Sequence, residues 1–215
     1  MPTTVMRVAH RVVGRAIVRW TRVTVTGLEH VPAHGGVLLA ANHRSFLDHY
    51  LLGAVSPRPM WYLGKRELAV GVVGWINTTF GMVPVDRGHA DLEAIARIVE
   101  LLRAGEIVGV FPEGTRSPTG ELFRFRSGMA RIAAQAQVPV VPVGLINTAV
   151  VWPRRQMPHL RRPAPGLLQV RFAPALPPPP DEGPARRAFT AEVHAVVADL
   201  CGQPLADRFA PIPRD

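Results

Sequence analysis

Residues 42–48 read Asn42-His43-Arg44-Ser45-Phe46-Leu47-Asp48, a histidine with a carboxylate five places on. Across a turn, that spacing lets the acid hold one ring nitrogen while the other faces a substrate proton, which makes an oriented general base. Plainer readings fit the same residues. Ser45 and Asp48 suit the start of a helix, with the acid near the positive end of its dipole. His43, Asp48 and His49 also include the ligand types of a metal site. A second group, Pro112-Glu113-Gly114-Thr115-Arg116-Ser117, brings together a carboxylate, a glycine that permits close approach and a guanidinium fork. Arginine there suits bidentate contact with a phosphate; the alternative is an ion pair between Glu113 and Arg116.

Both groups fall where a strand opens into a loop. Gly36 to Ala41 is a short apolar run that reads as a buried strand. Phe46, Leu47, Tyr50, Leu51 and Ala54 then recur at helical spacing, so a helix begins near Ser45. Ile107 to Phe111 is another buried strand, opening directly into Pro112. In open α/β sheets ligands bind at such strand ends. Met60 to Leu63 leads to Lys65 in the same way, and Gly81 to Val85 leads to Asp86-Arg87-Gly88, placing Arg87 at the mouth of the sheet.

The remaining pattern fills in a single α/β domain with a mixed, largely parallel twisted sheet flanked by helices. Strands are expected at 23–26, 138–144 and 167–172, the prolines of the second suiting its ends or a sheet edge. Helical periodicity marks 90–104, 128–136 and 185–200. Residues 68–80 are nearly uncharged and are expected to form a core helix, with a membrane-facing patch or an acyl-groove lining as alternatives. The expected organisation is an N-terminal amphipathic basic helix (1–24), the α/β domain (25–173), a stiff Pro-rich connector (174–184), a helix packing on the domain (185–201) and a loose tail (202–215). Arg154-Arg155 and Arg161-Arg162 lie in a Pro-rich loop expected to be solvated.

A chain of 215 residues with 47% hydrophobic content can bury a full core. No run of about 18 apolar residues indicates a membrane span, and the N-terminal pattern does not suit a signal peptide. The single cysteine, Cys201, excludes an internal disulfide framework and fits a reducing cytoplasm. A net charge of +9 asks for an anionic partner: membrane surface, phosphorylated substrate or nucleic acid. Dispersed arginines, few aromatics and no recognisable motif argue against nucleic acid. In residues 3–22, Val5, Val8, Val12, Val13, Ala9, Ala16 and Trp20 share an apolar face, while Arg7, Arg11, Arg15 and Arg19 climb in steps of four. That suits a helix in the headgroup region of an anionic membrane, or an ordinary surface helix.

Four stretches, in this order and each at a strand end, resemble the lysophospholipid (glycerolipid) acyltransferase family, of the 1-acylglycerol-3-phosphate acyltransferase type. They are Asn42 to Asp48 with its His-x4-Asp spacing, Gly81 to Arg87, Phe111 to Ser117, and Val138 to Val143. The resemblance runs from about Val25 to Phe172, and implies acyl transfer from an acyl-CoA or acyl carrier protein thioester to a lysophospholipid hydroxyl. It implies an acyltransferase-like fold, His43 as base, Asp48 as its orienting acid, and Arg87 and Arg116 on the acceptor phosphate. Glu113, Gly114 and Thr115 shape the loop within the substrate-binding set, and Lys65 lies near the site. No metal and no resident cofactor are implied; the thioester is a co-substrate. The implied location is the cytoplasmic face of a bacterial cell membrane, attached peripherally. Other readings are a specialised O-acyltransferase for another lipid or metabolite hydroxyl, and a non-catalytic lipid-binding protein. Two features depart from the family. Arg126-Ser127 stands where a basic pair is common, and no long transmembrane region precedes the domain, so attachment would rest on 3–22, 68–80 or both.

Overall fold

A strand buried on both faces must be covered on both faces, and Val37–Ala41 is buried at every position. The computed structural model describes residues 2–85 and 92–211. Its strands are β1 (Thr24–Thr26), β2 (Val37–Ala41), β3 (Met60–Lys65), β4 (Met82–Val85), β5 (Ile107–Val110), β6 (Val140–Ile146) and β7 (Gln169–Phe172). The helices are α1 (Thr4–Thr21), α2 (Leu47–Val55), α3 (Gly71–Thr79), α4 (Leu92–Arg103), α5 (Gly128–Ala136), α6 (Thr148–Val151) and α7 (Gly183–Cys201). One sheet runs in the order β1-β7-β6-β2-β5-β3-β4. Every neighbouring pair is parallel except β6 with β7.

Strand alternation divides the core in two. Leu38, Ala40, Val108, Val110 and Val140 pack with Ile98 and Leu102 of α4, Met129 and Ala133 of α5, and Val193 and Val197 of α7. Val37, Leu39, Ala41, Ile107, Val141 and Val143 pack on the opposite face with Leu47, Leu51 and Val55 of α2. Because β2 and β5 are adjacent and parallel, the loops at their carboxyl ends emerge side by side.

Three elements differ from their sequence patterns. The strand whose prolines suit its ends or an edge is central, since β6 lies between β2 and β7, and Pro142 falls inside it. Its Pro142 is tolerated because its carbonyl accepts from Ala173 N at 3.0 Å just beyond β7, so the missing N–H falls on the last rung of that antiparallel ladder. Residues 68–80 are not core: Val70, Val72, Val73 and Trp75 are exposed, and only Gly74 and Asn77 of α3 are buried. Asn77 pins this helix, its Nδ2 donating to Leu68 O and its Oδ1 accepting from the hydroxyls of Tyr50 and Tyr62. Helix α1, which packs on α2, turns Met6, His10, Gly14 and Thr21 inward, with His10 Nε2 at 3.0 Å from Ser56 O. The Val5-Val8-Val12 stripe is left in solvent beside the arginines.

Close approach sets the seat of α7. A Cβ on Gly144 would come within 2.6 Å of Leu200 Cβ, whereas one on Gly14 would meet Ala54 at an ordinary 3.5 Å. Gly144→Ala is expected to cost about 1–3 kcal/mol through overpacking, whereas Gly14→Ala, mid-helix with room for the methyl, should stabilise by up to about 1 kcal/mol. Urea unfolding of the two variants checks this, and equal stabilities would refute the placement of α7 on β6.

Candidate active site

The histidine leaves the end of β2 and is fixed from three directions. His43 Nδ1 lies 2.8 Å from Asp48 Oδ2, and that same oxygen accepts Arg44 N and Ser45 N at 2.7 Å each. An oxygen already accepting two N–H groups takes a third donor, so the proton resides on Nδ1 and Nε2 is the basic nitrogen. The ring stacks on Phe111 at 4.0 Å between centroids and 19° between planes. His43 N donates to Glu113 Oε1 at 2.7 Å, and His43 O accepts Ser117 N at 2.7 Å. Asp48 is fully buried, while the side chain of His43 keeps 12% of its surface open. Asp48 therefore serves both as the acid behind an imidazole and as the acceptor that closes the turn into α2.

Glu113 joins three loops. It is fully buried, and its second oxygen accepts Phe123 N at 3.1 Å, so the carboxylate faces backbone rather than an open surface. Thr115 is buried as well, and Gly114 adopts φ 80°, a left-handed turn in which its N–H donates to Phe111 O at 2.9 Å. These residues, expected among those contacting substrate, frame the loop that presents Arg116. The Arg116 guanidinium lies 5.8 Å above the Phe46 ring, which in turn meets the Trp152 ring at 4.9 Å. Ser45 Oγ donates to Trp152 O at 2.7 Å, holding this aromatic wall beside His43. Lys65 ends β3 on the same carboxyl edge of the sheet. Arg87 lies outside the described residues, beyond the end of β4.

Behind the site sits His49, packed against Phe46, Tyr50 and Tyr62 with ring centroids 4.1–4.8 Å apart. Burial above all, then the charges of His43 and Arg116, hold its pKa well below the ordinary imidazole value. His49 is thus a neutral packing group. Among the described residues no group of three or more His, Cys, Asp or Glu side chains could hold a metal ion.

Of the tail expected to be loose, residues 203–211 are instead strapped across the site, and 212–215 lie outside the described residues. Gln203 Oε1 accepts Asn42 Nδ2 at 2.6 Å, and its amide nitrogen donates to Gly120 O at 2.7 Å. Asn42 itself is buried and pairs with both backbone groups of Leu145, at 2.9 and 2.7 Å, extending the β2–β6 ladder to the residue before His43. Further on, Leu122 N donates to Pro204 O, Ala206 N to Leu122 O and Arg124 N to Arg208 O. Ala206 and Ala210 close over buried Phe123. Phe111, Trp152 and Gln203 were not visible as site residues, because each acts through a long-range contact of an ordinary side chain.

Burial pushes the Glu113 carboxyl up to about 7, against the pull of the His43 and Phe123 N–H groups. An acid whose folded pKa exceeds its ordinary 4.5 favours the native state below pH 4.5, and that contribution fades as pH rises through 7. The unfolding free energy of the wild type minus that of Glu113→Gln should therefore fall between pH 4.5 and 7.5, by up to roughly 3 kcal/mol. Denaturant titrations at the two pH values measure this, and a pH-independent difference would show that Glu113 does not titrate there.

Comparison with known proteins identifies the family. The model of the family described as Acyltransferase matches residues 22–146. Chloroplastic 1-acyl-sn-glycerol-3-phosphate acyltransferase BAT2 of Brassica napus is 35% identical over 60% of this chain and 38% of its own. Human 1-acyl-sn-glycerol-3-phosphate acyltransferase alpha is 32% identical over 75% of this chain and 56% of its own. The 1-acyl-sn-glycerol-3-phosphate acyltransferase of Pseudomonas aeruginosa is 31% identical over 74% and 61%. The chain thus spans about half the length of these curated relatives. The crystal structure of the 1-acyl-sn-glycerophosphate acyltransferase PlsC from Thermotoga maritima superposes with a TM-score of 0.73 at 25% identity, covering 90% of this chain and 77% of that one. With the family match extending over more than half of its length, from just before β1 to the end of β6, this chain belongs to the acyltransferase family.

Proposed function

We propose that the protein transfers a fatty acyl group from an acyl-CoA or acyl carrier protein thioester to the free hydroxyl of 1-acylglycerol 3-phosphate, giving phosphatidic acid. The observation that carries this reading is the 2.8 Å His43–Asp48 pair at the end of a central strand, with Arg116 presented by the next loop. The acceptor hydroxyl gives its proton to Nε2 of His43 as its oxygen bonds to the thioester carbonyl carbon. The C–S bond then breaks, and the same proton passes from Nε2 to the departing thiolate, leaving an ester and a free thiol. Asp48 stabilises the intervening imidazolium and keeps its ring in register. Arg116, with Arg87 by family likeness, holds the acceptor phosphate with charge that does not compete for the proton, and Lys65 lies near the site.

Peripheral attachment to the cytoplasmic face of a membrane belongs to the same reading. Among the described residues no helix is long and apolar enough to cross a membrane. Two helices instead expose apolar side chains: Val5, Val8 and Val12 of α1, alongside Arg7, Arg11, Arg15 and Arg19, and Val72, Val73 and Trp75 of α3. Such faces bind anionic leaflets by burial and charge together.

His43→Ala should lower the release of free thiol from acyl-CoA, with 1-acylglycerol 3-phosphate as acceptor, by about 10²–10⁴-fold. Asp48→Asn, which upsets the tautomer, should lower kcat with little change in acceptor KM. Retained turnover in His43→Ala would remove the base from this position. Arg116→Ala should raise acceptor KM about tenfold or more, the loss of one charged hydrogen bond, with donor KM unchanged. An unaltered acceptor KM would assign the phosphate to other groups.

A further inference from the structure

The loop between α6 and β7 carries a feature that the acyl-transfer chemistry does not use. Met157 and Leu160 are 82% and 83% exposed, the highest among the exposed large apolar side chains of the described residues. They are held out by a built loop. The Trp152 indole N–H donates to Gln156 O at 3.0 Å, and His159 N donates to Val151 O at 2.7 Å. The His159 ring is bonded to Val150 O at 2.9 Å. Around these tips stand Arg154, Arg155, Arg161 and Arg162, and no acidic residue occurs from Asn147 to Pro180.

The loop joins two parts of the surface. At its start, the Trp152 ring touches Phe46, over which Arg116 lies. At its end, the Arg162 guanidinium donates to Arg19 O at 2.7 Å and Trp20 O at 3.4 Å, locking the loop to the last turn of α1. Helix α1 shows the same makeup, exposed valines among arginines. Apolar tips among cations match a surface that offers hydrocarbon and phosphate at once. A partner protein would need a broader continuous patch, on the order of 800 Å².

We propose that residues 153–162 form a lipid-inserting loop that carries Met157 and Leu160 into an anionic bilayer beside the mouth of the site, with Arg154, Arg155 and Arg161 on lipid phosphates. The inference extends the membrane attachment proposed above and is independent of the acyl-transfer chemistry. It makes the loop a second anchor, fixed to α1 and placed where an acceptor leaving the leaflet would meet Phe46 and Arg116.

Co-sedimentation of the full chain with phosphatidylcholine vesicles containing about a quarter phosphatidylglycerol tests this. Met157→Asp with Leu160→Asp should lower partitioning roughly tenfold or more. Arg154→Gln with Arg155→Gln and Arg161→Gln should lower it roughly tenfold to a hundredfold on these vesicles and have no effect on pure phosphatidylcholine. Both variants should turn over a short-chain, fully dispersed 1-acylglycerol 3-phosphate as the wild type does, which also shows that they are folded. Unchanged partitioning in both variants, or a wild type indifferent to the vesicles, would overturn the proposal. So would a self-associated wild type that the Asp variant dissociates, since the loop would then be an interface between copies. Wild-type failure to acylate the dispersed acceptor would defeat the acyl-transfer reading and leave the vesicle result standing.

Discussion

One carboxylate oxygen sets the geometry of the site. Asp48 Oδ2 receives two backbone N–H groups and the imidazole, and it does so fully buried, where an unsatisfied acceptor would be costly. Closing the turn from β2 into α2 places this oxygen, and once placed it fixes the tautomer and ring plane of His43. Local helix initiation and the chemistry of the base are therefore the same contact. The two ways of reading Ser45-x-x-Asp48, as a helix start or as part of a dyad, are not alternatives in this fold.

A second buried carboxylate, Glu113, works differently. Its partners are backbone groups of His43 and Phe123, so it ties the β2 loop to the β5 loop and both to the stretch under the strap. Asp48 and Glu113 thus divide the labour, one orienting the ring and the other holding the chain that carries it. Arg116 projects from the same loop onto an aromatic wall of Phe46 and Trp152, which limits where its guanidinium can lie. A central parallel pair of strands makes this convergence possible, because β2 and β5 end at the same level.

The sequence made the strand ends legible because buried parallel strands are continuous apolar runs, and β2 and β5 are such runs. The His-x4-Asp spacing was informative for the same reason: a short turn leaves few ways to arrange five residues. The rest depends on partners distant in sequence. By local rules Pro142 suits a strand end or an edge, because nothing local reveals that its lost donor falls on a terminal rung. Residues 68–80 looked like core because apolarity alone does not say which side of a helix is covered. In fact only Gly74 and Asn77 of α3 are buried. The stripe of α1 that packs inward contains a histidine, a glycine and a threonine, so the more apolar stripe is the one left outside, which periodicity alone does not reveal. Gln203 carried no signal at all, being one amide in a segment without periodicity.

That amide imposes an order on the birth of the molecule. Asn42 leaves the ribosome 161 residues ahead of Gln203. At about 5–20 residues per second the interval is on the order of ten to thirty seconds. Throughout it, the segment that carries His43 has been made, and β5 and β6 join it on the way, but the strap over Phe123 and the second partner of the Asn42 amide do not yet exist. The nascent chain must therefore carry an unfinished crevice until translation has passed α7, and any catalytic competence that depends on this clasp arises only after that point.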